Sequence, residues 1–145
     1  MGLGRIGMEV AKRANGFDMG VPYYARHRRP EAEPVFEVVY VEGLWQLRPE
    51  VAFVTLHVPL TPDTHHLMGE VEPTAMKSTA FLINISRGGI LDQEMLTRVL
   101  ERGVIASAGL YMATPESIPV DHALFKLSTV VLTSHIGSAP HEAQR

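Results

Sequence analysis

The 145-residue sequence predicts an α/β fold: a doubly wound, mostly parallel sheet that lacks its first strand. Three observations predict it. Apolar runs of strand length alternate with helical patterns. Those runs are nearly continuous, as in parallel strands buried on both faces. A glycine-rich turn opens the first helix, and only Met1 stands before it, where a strand is due.

From Arg5 to Ala14 the residues are good helix formers, with Ile6, Val10 and Ala14 on one face and Gly16 as the stop. Val21 to Ala25 reads as a short strand. Arg26 to Pro34 is basic, then rich in Pro and Glu, and reads as a loop or helix start. Phe36 to Val41 is a second strand candidate, and Leu44 to Leu47 suits a short helix. Val51 to Val58 is a buried strand stopped by Pro59 and Pro62. Thr79 to Ile85 is another. Asp92 to Arg102 is a helix with Met95, Leu96, Val99 and Leu100 inward, Asp92 as N-cap and Gly103 at C′. Ile105 to Tyr111 and Thr129 to Leu132 complete the strands. The whole reads as one domain, residues 1–145, incomplete at its N-terminus.

Composition narrows the function classes. With 46% apolar and 20% charged residues, the chain has the make-up of an ordinary globular domain. A net charge of −3 offers no footprint for nucleic acid or an anionic membrane. No apolar run approaches the ~18 residues of a spanning helix, and no secretory signal opens the chain. The absence of cysteine removes disulfide and thiolate chemistry and fits a reducing compartment, so a cytoplasmic setting is expected.

The motifs fall past the carboxyl ends of the strands, where ligands bind in such sheets. Gly2-Leu3-Gly4-Arg5-Ile6-Gly7 fits G-x-G-x-x-G. The first glycine makes the turn, the second admits a pyrophosphate to the backbone, and the third lets helix and sheet approach. The helix N-terminus favours the phosphates. Solvated loops also carry glycines, so the motif gains its weight from the residues downstream. A carboxylate about 20 residues on would accept bonds from an NAD ribose. Here Arg26-His27-Arg28-Arg29 comes after the strand and no carboxylate stands before Glu31. Guanidinium groups bind a 2′-phosphate that a carboxylate would repel, so NADPH is expected over NADH, with a solvated basic loop as the bland alternative.

Three later segments each end a strand with a polar group: Arg87 in LINISRGG, Glu116 in GLYMATPE and His135 in SHIGS. Reduction of a 2-keto acid wants this set. Arg87 holds the substrate carboxylate and polarises the keto oxygen. His135 supplies a proton to that oxygen as hydride arrives. Glu116 orients the imidazole and raises its pKa. Each residue by itself would be read as a surface group; their order and setting make the case. The other histidines (His27, His57, His65, His66, His122 and His141) form no ligand pattern, so no metal is expected. His57, at a strand end, reads as a satisfied structural group.

The stretches GLGRIG, ARHRRPE, HVPLTPDTHHLMG, MKSTAFLINISRGG, GLYMATPE and HIGSA together resemble the D-isomer-specific 2-hydroxyacid dehydrogenases, in particular glyoxylate/hydroxypyruvate reductases. The resemblance implies a Rossmann-type NAD(P)-binding domain with Arg87, Glu116 and His135 catalytic. It places Arg5, Ile6, the Arg26 loop, Val58, Pro59, Thr64, Ile85, Ser86 and Gly137 along the cofactor cleft. It implies a small 2-keto or 2-hydroxy acid as substrate, and a homodimer as the assembly to test.

The chain departs from the pattern in places. The family's substrate domain is not found in it. Tyr111 stands where the family has an Asp expected at the nicotinamide end, and Ser117 replaces a Pro. Two functions therefore compete: an NADPH-dependent reductase of glyoxylate- or hydroxypyruvate-like acids, and a non-catalytic dinucleotide-binding or protein-interaction module. Little turnover is expected of this polypeptide alone.

Overall fold

The computed structural model describes residues 1–43, 46, 51–69, 76–114, 119 and 121–133. Helix α1 spans Arg5–Asn15 and leads into β1 (Val21–Tyr23). A single helical turn, α2 (Glu33–Phe36), carries Pro34 near its start and precedes β2 (Val38–Tyr40). Strands β3 (Phe53–Leu56), β4 (Phe81–Asn84), β5 (Ser107–Leu110) and β6 (Val130–Leu132) come next, with helix α3 (Gln93–Glu101) between β4 and β5. The expected helix at Leu44–Leu47 lies outside the described residues except for Gln46. The expected strand from Phe36 begins later, because Phe36 closes α2 and Glu37 takes a left-handed φ of 48°.

All pairings are parallel. β1 pairs with β2, and the second sheet runs β3-β4-β5-β6. Between β1 and β3 lie Met1 and Gly2. The Met1 amine donates to the Thr55 carbonyl at 2.6 Å, and His57 N–H donates to the Met1 carbonyl at 2.8 Å. Gly2 N–H donates to the Tyr24 carbonyl at 2.8 Å. Successive residues bonding to opposite neighbours is the signature of a central parallel strand. Met1 and Gly2 thus supply one rung where the sequence predicts an absent strand, and the sheet is continuous at that end only.

Helix α3 is built as its sequence predicts. Asp92 Oδ1 accepts Met95 N–H at 2.9 Å, and Met95, Leu96, Val99 and Leu100 are buried. Gly103 takes φ +63°, with Gly103 N–H on the Leu100 carbonyl and Val104 N–H on the Val99 carbonyl, both at 3.0 Å. That is a Schellman stop. The core gathers Val54, Leu56, Leu82, Ala108, Leu110 and Leu124 with α3. A second cluster joins Leu3 and Ala11 to Tyr23, Ala32 and Val38.

Burial on both faces is not what β3 and β4 show. Their residues alternate exposed and buried, with Phe53 48% and Phe81 41% exposed and stacked 5.2 Å apart. The buried alternate residues Val54, Leu56 and Leu82 share one core cluster with α3, whereas Phe53 and Phe81 belong to neither core cluster. Helix α1 also differs. Gly7 and Ala11 are its buried residues, Val10 and Ala14 are half-buried, and Ile6 is 62% exposed. Small residues let the helix lie close against the strands. No described helix is long and apolar enough to cross a membrane.

Candidate functional site

The glycine loop is held against the end of β3 by backbone contact. Gly2 has φ +81°, and a Cβ there would stand 2.7 Å from the His57 carbonyl oxygen. A Cβ on Gly7 would stand 2.2 Å from the Gly2 carbonyl oxygen. Only glycine closes this turn without moving backbone. Gly4 differs: a Cβ there meets nothing within 4 Å. It is the N-cap of α1, has no side-chain cap, and no acidic residue stands in the first turn. The first-turn N–H groups therefore face an open approach at the positive end of the helix dipole. That cradle fits a pyrophosphate. Arg5 and Ile6 are exposed beside it.

The loop after β1 is ordered by its own groups. Arg28 grips Glu33 at two points, Nε to Oε1 at 2.7 Å and Nη2 to Oε2 at 2.8 Å, and lies 5.6 Å from the centre of the Tyr40 ring. The Arg28 hydrogen bond holds the Glu33 carboxyl below its usual range and raises the guanidinium's pKa. Tyr23 Oη donates to Glu33 Oε1 at 3.0 Å and accepts Arg29 N–H at 2.8 Å. Burial raises the Tyr23 phenol. Arg29 reaches Glu31 only at 3.8 Å, and Arg26 is exposed with no ion pair among the described residues. The cluster predicted for a 2′-phosphate is thus three exposed guanidiniums, Arg28 paired closely with Glu33 and Arg29 at longer range with Glu31.

The turns after β3, β4 and β5 form a row. Ser86 Oγ donates to the Leu56 carbonyl at 2.8 Å, tying the β4 end to the β3 end. Buried Asn84 donates from Nδ2 to the Arg87 carbonyl at 2.9 Å, and its Oδ1 accepts Ser86 N–H at 3.0 Å. A Cβ on Gly88 would stand 2.2 Å from Thr114 Oγ1, so the turns after β4 and β5 touch. Tyr111 N–H donates to the Asn84 carbonyl at 2.9 Å. Arg87 is exposed, with one long contact of 3.4 Å from Nη1 to the Ser86 carbonyl. Ile85 is 40% exposed beside it.

Val58 is half-buried and Pro59 exposed past β3. Thr64, expected at the cofactor, is occupied within its own loop: Oγ1 donates to the Pro59 carbonyl at 2.6 Å and accepts Thr61 N–H at 2.7 Å. Its role in this structure is to fold the loop. Glu116, His135 and Gly137 lie outside the described residues, so the predicted Glu–His pair has no geometry to set beside Arg87.

His57 departs from its reading as a satisfied group. Nε2 pairs with Thr55 Oγ1 at 3.0 Å, but buried Nδ1 has no hydrogen-bond partner. Burial, helped by the nearby terminal ammonium, lowers His57 to about 4, so the ring is neutral. Burial likewise lowers the Met1 amine to about 6. Asn84 and Tyr23 escape sequence reasoning. The polar residue closing the apolar run Phe81–Asn84 is the available signal for Asn84, whereas nothing local marks Tyr23. Among the described residues no three His, Asp or Glu side chains gather as a metal site.

Known proteins share this arrangement. The chain is 49% identical over 144 residues to a glyoxylate reductase of Thermococcus litoralis, covering 99% of this chain and 43% of that protein. It is 45% identical over 145 residues to a glyoxylate/hydroxypyruvate reductase B of an Enterobacter species, covering 99% of this chain and 44% of that one. The chain therefore spans less than half the length of these relatives. The solved structure of an acyclic imino acid reductase in complex with NADPH and D-arginine superposes with a TM-score of 0.86 at 31% identity, over 99% of this chain and 44% of that one. The family profile described as D-isomer specific 2-hydroxyacid dehydrogenase, NAD binding domain, matches residues 1–137, and the chain belongs to that family.

Proposed function

We propose that this chain is the dinucleotide-binding part of an oxidoreductase that uses NADPH to reduce glyoxylate, hydroxypyruvate or a similar short 2-keto acid. The observation that carries the reading is the unbroken row from the Gly2–Gly7 turn through Leu56 and Ser86 to Gly88 and Thr114, at the carboxyl ends of parallel strands. Similarity to reductases of those acids supports the substrate class. The exposed Arg26, Arg28 and Arg29, with no carboxylate at the strand end, support NADP over NAD.

The cofactor's dihydronicotinamide supplies a hydride to the keto carbon. The backbone of Gly2 to Gly7 seats the pyrophosphate. Arg87 binds the substrate carboxylate and draws electron density to the keto oxygen. His135 gives that oxygen its proton, and Glu116 orients the imidazole. Residues 1–145 act as one NAD(P)-binding domain, and a cytoplasmic homodimer belongs to the same reading.

The test tracks nicotinamide fluorescence and the melting midpoint together during titration with NADPH and with NADH. Saturable binding that favours NADPH and raises the midpoint is expected. Binding of neither dinucleotide overturns the cofactor reading. Oxidation of NADPH by glyoxylate or hydroxypyruvate that survives both Arg87→Ala and His135→Ala overturns the catalytic assignment. Tyr111 favours a second reading, a binding module without turnover: NADPH binding with no oxidation by any of these acids would select it.

A further inference from the structure

We propose that Gln93, in the first turn of α3, is a positioning residue that fixes the turn carrying Arg87 by way of Thr114. The part given to Arg87 is its part in the reductase reading above, and the inference rests on that reading. Tyr111 N–H donates to the Asn84 carbonyl at 2.9 Å, and there β4 ends. Thr114 N–H then takes its acceptor from outside the sheet: Gln93 Oε1, at 3.0 Å. Gln93 is itself well held. It follows the N-cap Asp92, whose Oδ1 accepts Met95 N–H at 2.9 Å. The Gln93 carbonyl accepts Thr97 Oγ1 at 2.8 Å, and Thr97, Met95 and Leu96 are buried. This end of α3 is therefore fixed to the core, and the half-buried Gln93 side chain reaches out from it.

Thr114 in turn locates Gly88. Gly88 is buried so closely against this segment that a Cβ on it would stand 2.5 Å from the Ala113 carbonyl oxygen, and nearer still to Thr114 Oγ1. Met112 and Ala113 are buried as well. Atoms packed this tightly move together, so a shift of Thr114 is passed to Gly88 and to the residue before it, Arg87. The Arg87 carbonyl accepts Ile90 N–H at 3.2 Å and the Gly88 carbonyl accepts Leu91 N–H at 3.0 Å, so these two amides report on the Arg87 turn. Asn84 holds that turn from within the sheet, and Gln93 holds it from α3. Thr114 also stands two residues before Glu116 in the chain. One amide thus lies behind both segments that bear the proposed catalytic groups. The next residue supplies a contrast. Glu94 Oε1 pairs with His122 Nε2 at 3.1 Å, which ties α3 to the segment before β6 rather than to Thr114.

The test compares Gln93→Leu, which keeps bulk and helix propensity but loses the acceptor, with Gln93→Glu, which keeps an acceptor oxygen at the same reach. Amide exchange of the 145-residue chain needs neither cofactor nor substrate. Gln93→Leu is expected to speed exchange about tenfold at Thr114 and about threefold at Ile90 and Leu91, with Leu96 and Leu100 of α3 unchanged. Gln93→Glu should restore all three rates, and Glu94→Ala should leave them as they are. With NADPH and glyoxylate, kcat/KM should fall about tenfold in Gln93→Leu and recover in Gln93→Glu, while NADPH affinity stays within about twofold. Faster exchange at Thr114 alone overturns the proposal. So does an equal rise across α3, the same losses in Glu94→Ala, or an unchanged kcat/KM in Gln93→Leu. A chain that shows the Ile90 and Leu91 response yet never oxidises NADPH sinks the reductase reading and leaves the coupling through Gln93 standing.

Discussion

The side chain of Asn84, 1% exposed, donates to the Arg87 carbonyl at 2.9 Å while accepting the Ser86 N–H at 3.0 Å. One buried amide thereby holds the turn that presents Arg87. Asn84→Ala would leave a donor and an acceptor without partners, at about 1–3 kcal/mol of stability. Chemical denaturation should show the unfolding free energy fall by that amount, seen as a lower midpoint. An unchanged midpoint would mean that water serves the turn as well as Asn84 does.

What can be read in the sequence is what local chemistry decides. Asp92 and Gly103 punctuate α3 by their own side chains and backbone preferences, so both ends of that helix are legible. The glycine turn is legible for the same reason, since Gly2 and Gly7 answer to contacts within a few residues and one strand. Burial is hidden where it depends on a distant element. Phe53 and Phe81 have the character of core residues, and only packing reveals that both are left exposed, outside either core cluster. Thr64 is ambiguous in sequence because a hydroxyl can turn to a ligand or to its own loop, and in this structure it bonds to Pro59 and Thr61. The pairing of Arg28 with Glu33 is likewise invisible, since it requires α2 to fold back on the loop.

Stability should rise with pH between about 4 and 8. Burial lowers His57 to about 4 from 6.5, so the unfolded chain binds the extra proton across that window. The His57 contribution is therefore complete above 6.5 and declines as pH falls toward 4. The Met1 amine, lowered from 8.0 to about 6, adds the same sign between 6 and 8. Glu9 and Glu33, both held low by arginines, act only below their ordinary value of 4.5. The interval from 4.5 to 6 thus isolates His57. Denaturation midpoints for His57→Gln should be flat there, and a slope equal to that of the unchanged chain would contradict the assignment.

Cofactor choice should rest on Arg26 more cleanly than on Arg28. Arg26 has no ion pair among the described residues, whereas Arg28 already holds Glu33 and lies against Tyr40. Arg26→Ala is expected to weaken NADPH about tenfold and to leave NADH within about twofold. Arg28→Ala should weaken NADPH too, but with a lower melting midpoint, because it releases Glu33. Fluorescence titration of each variant with both dinucleotides decides the matter. Parallel losses for NADPH and NADH would remove the 2′-phosphate from the account.

The two glycines of the turn should separate folding from binding. A methyl on Gly7 would meet the Gly2 carbonyl oxygen at 2.2 Å, and that backbone atom is fixed by the Tyr24 bond at Gly2. Helix α1 must then lift, so Gly7→Ala is expected to destabilise by about 1–3 kcal/mol and to abolish dinucleotide binding as a consequence. Gly4 lies at φ −85° and ψ −167°, an extended conformation open to alanine, with nothing within 4 Å of a new Cβ. Gly4→Ala should leave stability within about 0.5 kcal/mol. Its methyl would nevertheless occupy the face through which a pyrophosphate reaches the first-turn N–H groups, and affinity should fall by about tenfold or more. Melting and fluorescence titration of the two variants side by side make the comparison. Intact affinity in a folded Gly4→Ala chain would show that the phosphates are seated elsewhere.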